Sequence, residues 1–198
     1  VGLLDLEMLS QDDNNNFIFF DKLESKKFKF LYLLGSDNLE FKKDKEFIIY
    51  QGSHGDRGAE LADVILPSSA YTEHNGLYSN LEGRVQECKK ASYPIGESLQ
   101  DWKIFNLILK KLGKIGVLNN FEILRKEAID SIINFSQINE LPTKLISKEK
   151  KINPNFNSEK ISIKKLDYYY TNSISRSSKT MSECRQVNEQ ILKTGTSN

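Results

Sequence analysis

Apolar and polar positions fall along this chain in short blocks. Residues 28–34 (FKFLYLL) form an apolar, aromatic run that ends at Gly35-Ser36-Asp37, which predicts a strand closed by a turn. The charged stretch 39–46 predicts a short helix. Residues 47–50 (FIIY) predict a second strand leading into Gly52, and residues 58–62 one helical turn. Residues 62–66 (ADVIL) are a third apolar run, stopped by Pro67, which has no N–H to give to a ladder. Short unbroken apolar runs alternating with helical segments point to a parallel sheet covered on both faces.

Helical spacing takes over further on. Ser98 and Asp101 fit a capping-box-like start, and Leu99, Trp102, Phe105, Leu109 and Leu112 recur at three- and four-residue spacing on one apolar face. Gly113 supplies a left-handed stop. A second helix is predicted over residues 121–135, with Leu124, Ala128, Ile132 and Phe135 on its stripe. Residues 1–10 read as the tail of an apolar element and residues 11–16 (QDDNNN) as a polar loop. After Pro142 the chain turns rich in Lys, Asn and Ser, and residues 161–163 read as a short strand. The segment 166–182 is polar yet too aromatic for plain disorder, and the last residues, TGTSN, are expected to fray. The expected organisation is an α/β body over 1–142, an exposed linker over 143–165 and an extended docking tail over 166–198.

A length of 198 residues allows one ordinary domain or a large piece of a bigger one. The net charge of +1, with acids and lysines interspersed, argues against a nucleic-acid partner, which would call for a basic face. No apolar run reaches the roughly 20 residues needed to span a bilayer. The first ten residues carry acids and no basic start, so no signal peptide is read there, and a valine at position 1 leads us to expect an upstream segment removed or encoded elsewhere. Cys88 and Cys184 are far apart and lack C-x-x-C spacing, which excludes a cluster held by this chain's own cysteines. Two free thiols in a reducing compartment are expected. Twenty-three lysines against five arginines, with 17 asparagines, 19 isoleucines and five alanines, match the codons of an AT-rich genome, organellar genomes among them.

Candidate chemistry concentrates in residues 50–86, which hold both histidines and five of the eleven glycines. Gly52, Gly55 and Gly58 follow a strand at three-residue spacing. They read either as a phosphate or dinucleotide cradle or as a tight strand-to-helix turn; the pattern is neither G-x-G-x-x-G nor a P-loop. His54 and His74, with Asp56 and Glu73 nearby, lack the spacing of a metal site and read as hydrogen-bonded loop histidines. Ser53, His54 and Asp56 do not form a triad, whose members converge from separate elements. Asn80, Glu82, Gly83, Arg84 and Gln86 form a polar cluster after a turn; Arg84 either clamps an anion or pairs with Glu82, Asp56 or Glu60. Trp102 reads as core packing. Tyr168, Tyr169 and Tyr170 read as an interface or as local packing. No residue is expected to be catalytic, cofactor-binding or metal-ligating.

Several strings resemble one family. Residues 52–59 (GSHGDRGA), 62–67 (ADVILP), 70–73 (AYTE) and 80–86 (NLEGRVQ), in this order, look like the C-terminal region of the large iron–sulfur subunit of respiratory complex I, the NADH:ubiquinone oxidoreductase. Residues 99–104 (LQDWKI) resemble a helix start of that family. Residues 167–181 resemble the end of its mitochondrial type, and residues 3–6 and 33–37 fit earlier strands. The resemblance implies a molybdopterin-oxidoreductase-like α/β domain with a mostly parallel sheet, flanked by helices and without molybdenum cofactor. Iron–sulfur clusters would lie in an N-terminal part that this chain lacks, carried by a separate partner polypeptide. The implied role is structural, in the peripheral arm on the matrix side of the mitochondrial inner membrane, with other arm subunits as partners. The alternative is part of an active molybdopterin-dependent oxidoreductase.

Overall fold

The computed structural model describes residue 6 and residues 19–114, 120–141 and 167–193. The expected loop at 11–16, the linker 143–165, the strand at 161–163, the end 194–198 and all of residues 1–10 except Leu6 lie outside them. The chain divides into two compact units, Val1–Leu145 and Ile146–Asn198.

The first unit is built on three parallel strands in the order β1-β2-β3: β1 (Phe30–Leu34), β2 (Phe47–Gly52) and β3 (Val64–Pro67). Phe30 pairs with Phe47 and Ile49 with Val64, and both registers run without a bulge. Two-residue alternation sends Leu31 and Leu33 of β1, with Ile48 and Tyr50 of β2, to one face. There they meet Leu23 of α1 (Phe19–Glu24) and Ala59 and Leu61 of α2 (Arg57–Leu61), which close the main core. The sequence gives no warning of α1, which is only six residues long.

The opposite face meets α3 (Asp101–Lys111). Tyr32 stacks on Phe105 with ring centroids 5.6 Å apart. The Tyr32 hydroxyl donates to Gln51 Oε1, and Gln51 Nε2 donates to Asp101 Oδ1 at 2.6 Å. Gln51 is fully buried, and this chain satisfies both ends of its amide. Burial first, and the Asp101 carboxylate second, push the Tyr32 phenol up from its ordinary value. Helices thus flank the sheet on both faces, as expected, while Phe30, Leu34 and Phe47 on this face stand half exposed.

Three other expectations change. Residues 39–46 are not helical. Leu39 and Phe41 both pack against the core, a two-residue alternation that an extended chain satisfies and a helix does not. Helix α3 starts at Asp101, not Ser98, because Leu99 is first held extended in a parallel bridge to Ser68. The Ser98 hydroxyl turns back to Ile95 O. The buried residue of α3 is Ile104, outside the predicted stripe. The sequence over residues 104–109 (IFNLIL) is apolar almost all round, so burying one side leaves Leu107, Leu109 and Leu112 exposed. Gly113 does end the helix, with φ of 68°.

An antiparallel hairpin, β4 (Gly76–Ser79) and β5 (Val85–Cys88), was not anticipated. It packs on α4 (Phe121–Ser131) and the 3-10 turn Ile133–Ser136. Val85, Ile132 and Phe135 form a second small core with Ala128 beside them, as the predicted stripe requires. The helix itself stops four residues early, at Ser131. Asn120 caps its start, accepting from Glu122 N at 2.7 Å.

In the second unit the described part of the expected extended tail is helical: α5 (Ser173–Ser177) and α6 (Lys179–Lys193). Asn172 and Ser175 make a reciprocal capping box. Pairs Lys179–Glu183 and Arg185–Glu189 at four-residue spacing support α6. Arg185 also reaches Asp167 Oδ2 at 2.7 Å. Among the described residues no helix is long and apolar enough to cross a membrane.

Asp63 ties the first unit's loops to its sheet. One carboxylate oxygen takes Lys43 Nζ at 2.7 Å and the other takes Ile48 N at 2.8 Å. The lysine hydrogen bond first, then the Ile48 N–H, hold this carboxyl below its ordinary value. A lowered carboxylate pKa contributes stability above the unfolded value of about 3.9, and that contribution is lost as pH falls through the lowered folded value. Unfolding midpoints measured from about pH 6 down to about pH 2 should therefore fall less steeply for Asp63→Asn than for the parent, with the variant weaker at neutral pH. Parallel curves would show that Asp63 carries none of the acid sensitivity.

Candidate functional site

The segment 50–86 starts at the end of β2, where Tyr50 sets the geometry. Its ring lies against Gly52 and Gly58, and its hydroxyl donates to His54 O at 2.6 Å. A Cβ on Gly52 would collide with the Tyr50 ring. A Cβ on Gly58 would lie 2.6 Å from Ser36 O and 3.0 Å from a Tyr50 ring carbon. Neither glycine has positive φ, so glycine is needed here for close approach, not for backbone freedom. Gly55 is different: its nearest neighbour would be Ala59 Cβ, 4.0 Å away.

Of the two sequence readings of this loop, the strand-to-helix turn is the one formed. The Tyr50 ring packs where a Cβ on Gly52 or Gly58 would lie. The N-terminus of α2 is taken by the Asp56 carboxylate, which accepts from Arg57 N at 2.9 Å. A carboxylate there satisfies the Arg57 N–H, and the Gly58 N–H is taken by Asp37 O.

The histidines sit in separate networks. His54 Nδ1 is 3.0 Å from the Ser53 hydroxyl. His74 Nδ1 is 3.0 Å from the buried Ser69 hydroxyl, and its Nε2 is 3.2 Å from Tyr78 OH. Burial first, with Cys88, Asp101 and Tyr71 adding to it, pushes the Tyr78 phenol up from its ordinary value. Glu73 closes its own turn by accepting from Ala70 N at 3.0 Å. Among the described residues no three His, Cys, Asp or Glu side chains converge as metal ligands.

The polar cluster at 80–86 is hairpin chemistry. Asn80 O accepts from Gly83 N at 3.0 Å, Asn80 Oδ1 accepts from Glu82 N and Arg84 N, and Gly83 has φ of 82°. The loop is short, with glycine at the left-handed position. Asparagine followed three residues later by glycine is the signal that could have revealed it. Arg84 takes neither expected role: its Nη1 donates to Asn139 O at 3.1 Å, beside the Asn139 N to Val85 O bond of 2.7 Å. Gln86 pairs with Tyr78 across the hairpin.

Between the hairpin, the start of α3 and α4 lies a cavity of about 300 Å³. His74, Leu77, Trp102, Leu124, Arg125 and Phe135 are among its walls. Trp102 is half-buried there, not in a closed core, and its Nε1 donates to Gln100 Oε1 at 2.8 Å. Arg125 Nε lies 3.2 Å from Glu87 Oε1, close enough to pair in charge but not aligned for a hydrogen bond. In the second unit, Tyr168 is exposed, while Tyr170 lies under the Arg185 guanidinium at 4.8 Å. Local packing thus accounts for Tyr170, while Tyr168 stands exposed. Both cysteines are free thiols.

The glycines give a direct test. Gly58→Ala should destabilise the first unit by about 1–3 kcal/mol, the usual cost of overpacking against rigid neighbours, while Gly55→Ala should stay within about 0.5 kcal/mol of the parent. Denaturant midpoints for the two variants measure this, and equal shifts would contradict the packing described.

Comparison with known proteins bears on the whole chain. Residues 6–111, more than half of it, match the family model for molybdopterin oxidoreductase. Residues 134–184 match the model for the C-terminal part of the G subunit of NADH-ubiquinone oxidoreductase. The NADH-ubiquinone oxidoreductase 75 kDa subunit of Reclinomonas americana is 38% identical over 94% of this chain and 27% of its own length. The G subunit of the NADH-quinone oxidoreductase of Rickettsia typhi is 41% identical over 82% of this chain and 24% of its own. The mitochondrial NADH-ubiquinone oxidoreductase 78 kDa subunit of Candida albicans is 37% identical over 81% and 24%. The chain spans about a quarter of the length of the curated relatives it matches. By the match over its α/β unit, the chain belongs to the molybdopterin oxidoreductase family, and its similarity to complex I subunits runs on into the C-terminal unit.

Proposed function

We propose that this chain is the C-terminal portion of the large iron–sulfur subunit of a proton-translocating NADH:quinone oxidoreductase, and that it serves that complex as scaffold. The observation that carries this reading is the succession of two matches along one chain: a molybdopterin oxidoreductase model, then a model specific to the C-terminal part of the complex's G subunit. In this reading the iron–sulfur clusters lie in the remaining part of the subunit, supplied by a separate polypeptide. No residue of this chain is catalytic, and no cofactor binds it. The Tyr50 ring between Gly52 and Gly58, and the Asp56 carboxylate on α2, support that part of the reading. The place proposed for the chain is the peripheral arm, on the matrix side of the mitochondrial inner membrane. Mitochondrial naming of a relative and the bias toward residues with A- and T-rich codons, lysine, asparagine and isoleucine, support the compartment.

Tagging the chain in its native cells and isolating what accompanies it tests the proposal. The expected result is a large assembly with NADH:quinone oxidoreductase activity, flavin and iron–sulfur clusters, with molybdenum and tungsten far below one per chain. On a denaturing gel the tagged chain should run well short of the full length of the relatives it matches. Migration as a free monomer would sink the proposal. Stoichiometric molybdenum or tungsten would favour an active molybdopterin enzyme instead. A band at the full length of the relatives would remove only the separate polypeptide.

A further inference from the structure

The three-stranded sheet is unfinished along one edge. In a parallel pair, alternate residues of a strand turn their N–H and C=O toward the partner. Lys29 O accepts from Phe47 N at 2.9 Å, and Gly35 N donates to Gln51 O at 2.8 Å. The odd-numbered residues of β1 therefore face β2. The N–H and C=O groups of Phe30, Tyr32 and Leu34 face away from it, and among the described residues no backbone group meets them.

The other edge is managed by the chain itself. Pro67 brings no N–H to the edge of β3, and just beyond it Leu99 N donates to Pro67 O at 3.3 Å while Ser69 N donates to Leu99 O at 2.9 Å. Proline and a covering segment are common ways to blunt an edge. Strand β1 has neither, and its sequence FLYLL carries no charge. Beside its open edge lies an uncovered apolar patch: Phe30 (52% exposed) stacks on Phe47 (47%) at 6.3 Å, with Leu34 (48%) on the same face.

We propose that the β1 edge takes one further parallel strand from the part of the subunit beyond the quarter spanned here, and that the strand's crossover helix covers Phe30, Leu34 and Phe47. This rests on the assignment of the chain to a larger subunit. The occupant follows from the geometry. Extending a parallel sheet in parallel requires a crossover of about a dozen residues or more, usually a helix, and the patch beside β1 is the surface such a helix buries. The relatives supply the length, since about three-quarters of each lies outside the matched region. A second copy of this chain would instead set β1 against β1 antiparallel about a two-fold axis and bring no helix to the patch.

Residue-resolved amide hydrogen exchange on the isolated complex, with lysine cross-linking, tests this. The N–H groups of Tyr32 and Leu34 have no backbone partner among the described residues, yet in the complex they should exchange about a hundredfold or more slower than open amides, as slowly as Leu31 and Leu33. Lys29, exposed at the start of the edge, should cross-link to the rest of the subunit. Fast exchange at Tyr32 and Leu34 beside slow exchange at Leu31 and Leu33, in an intact complex, overturns the proposal and leaves the subunit assignment standing. So does a Lys29-to-Lys29 cross-link between two copies. Recovery of the chain outside any such complex overturns both.

Discussion

Tyr50 needs room that only glycine leaves, and most of the α/β unit is arranged around that need. Its ring is part of the main core, and it reaches along β2 to lie against Gly52 and Gly58, with its hydroxyl fixed on the His54 carbonyl. One side chain thereby sets the path of the loop, the approach of α2 to the sheet and the contact between Gly58 and the turn after β1, where Gly58 N donates to Asp37 O. The loop's glycines at 52 and 58 serve this close approach of ring to backbone. A large ring set against two glycines keeps the close packing that interiors require.

On the reverse of the sheet the fastening is polar. Gln51, fully buried, joins the Tyr32 phenol to the Asp101 carboxylate and so pins the start of α3. Each member has a partner, and removing one would leave a buried amide unsatisfied at a cost of about 1–3 kcal/mol. Helix α3 is thus positioned by its first turn and by Tyr32–Phe105 stacking, while Leu107, Leu109 and Leu112 stay exposed. An apolar helix held at one end with open sides resembles an interior element more than a surface one.

Much of this was legible in the sequence, and the misses share a cause. The strands, the helical turn after Gly58, the Pro67 stop and the Gly113 stop follow from local chemistry that tertiary contacts do not reverse. Residues 39–46 misled because their charge masks the alternation of Leu39 and Phe41. The Ser98 start failed because a long-range bridge to Ser68 outweighed a local capping pattern. In α3 the apolar residues surround the helix, so spacing alone could not say which face the sheet would bury. Arg84 was expected to clamp an anion or to pair with Glu82, Asp56 or Glu60, but its partner, Asn139, is 55 residues away and unreadable from spacing. The tail was misread through its polarity: Asn172 with Ser175, and the acidic and basic residues four apart in α6, are helix signals that carry no apolar residues.

That tail has a different basis from the sheet. Among its described residues none is fully buried. Its order comes from the capping box, the four-residue charge pairs and Arg185, which holds Asp167 and Glu189 and covers Tyr170. Exposed pairs of this kind are screened by salt over a Debye length of about 8 Å at physiological ionic strength, whereas apolar burial is strengthened by salts such as sulfate. The two units of this one chain are therefore tuned by opposite solvent conditions: ions that tighten the sheet loosen the clasp at the C-terminal end.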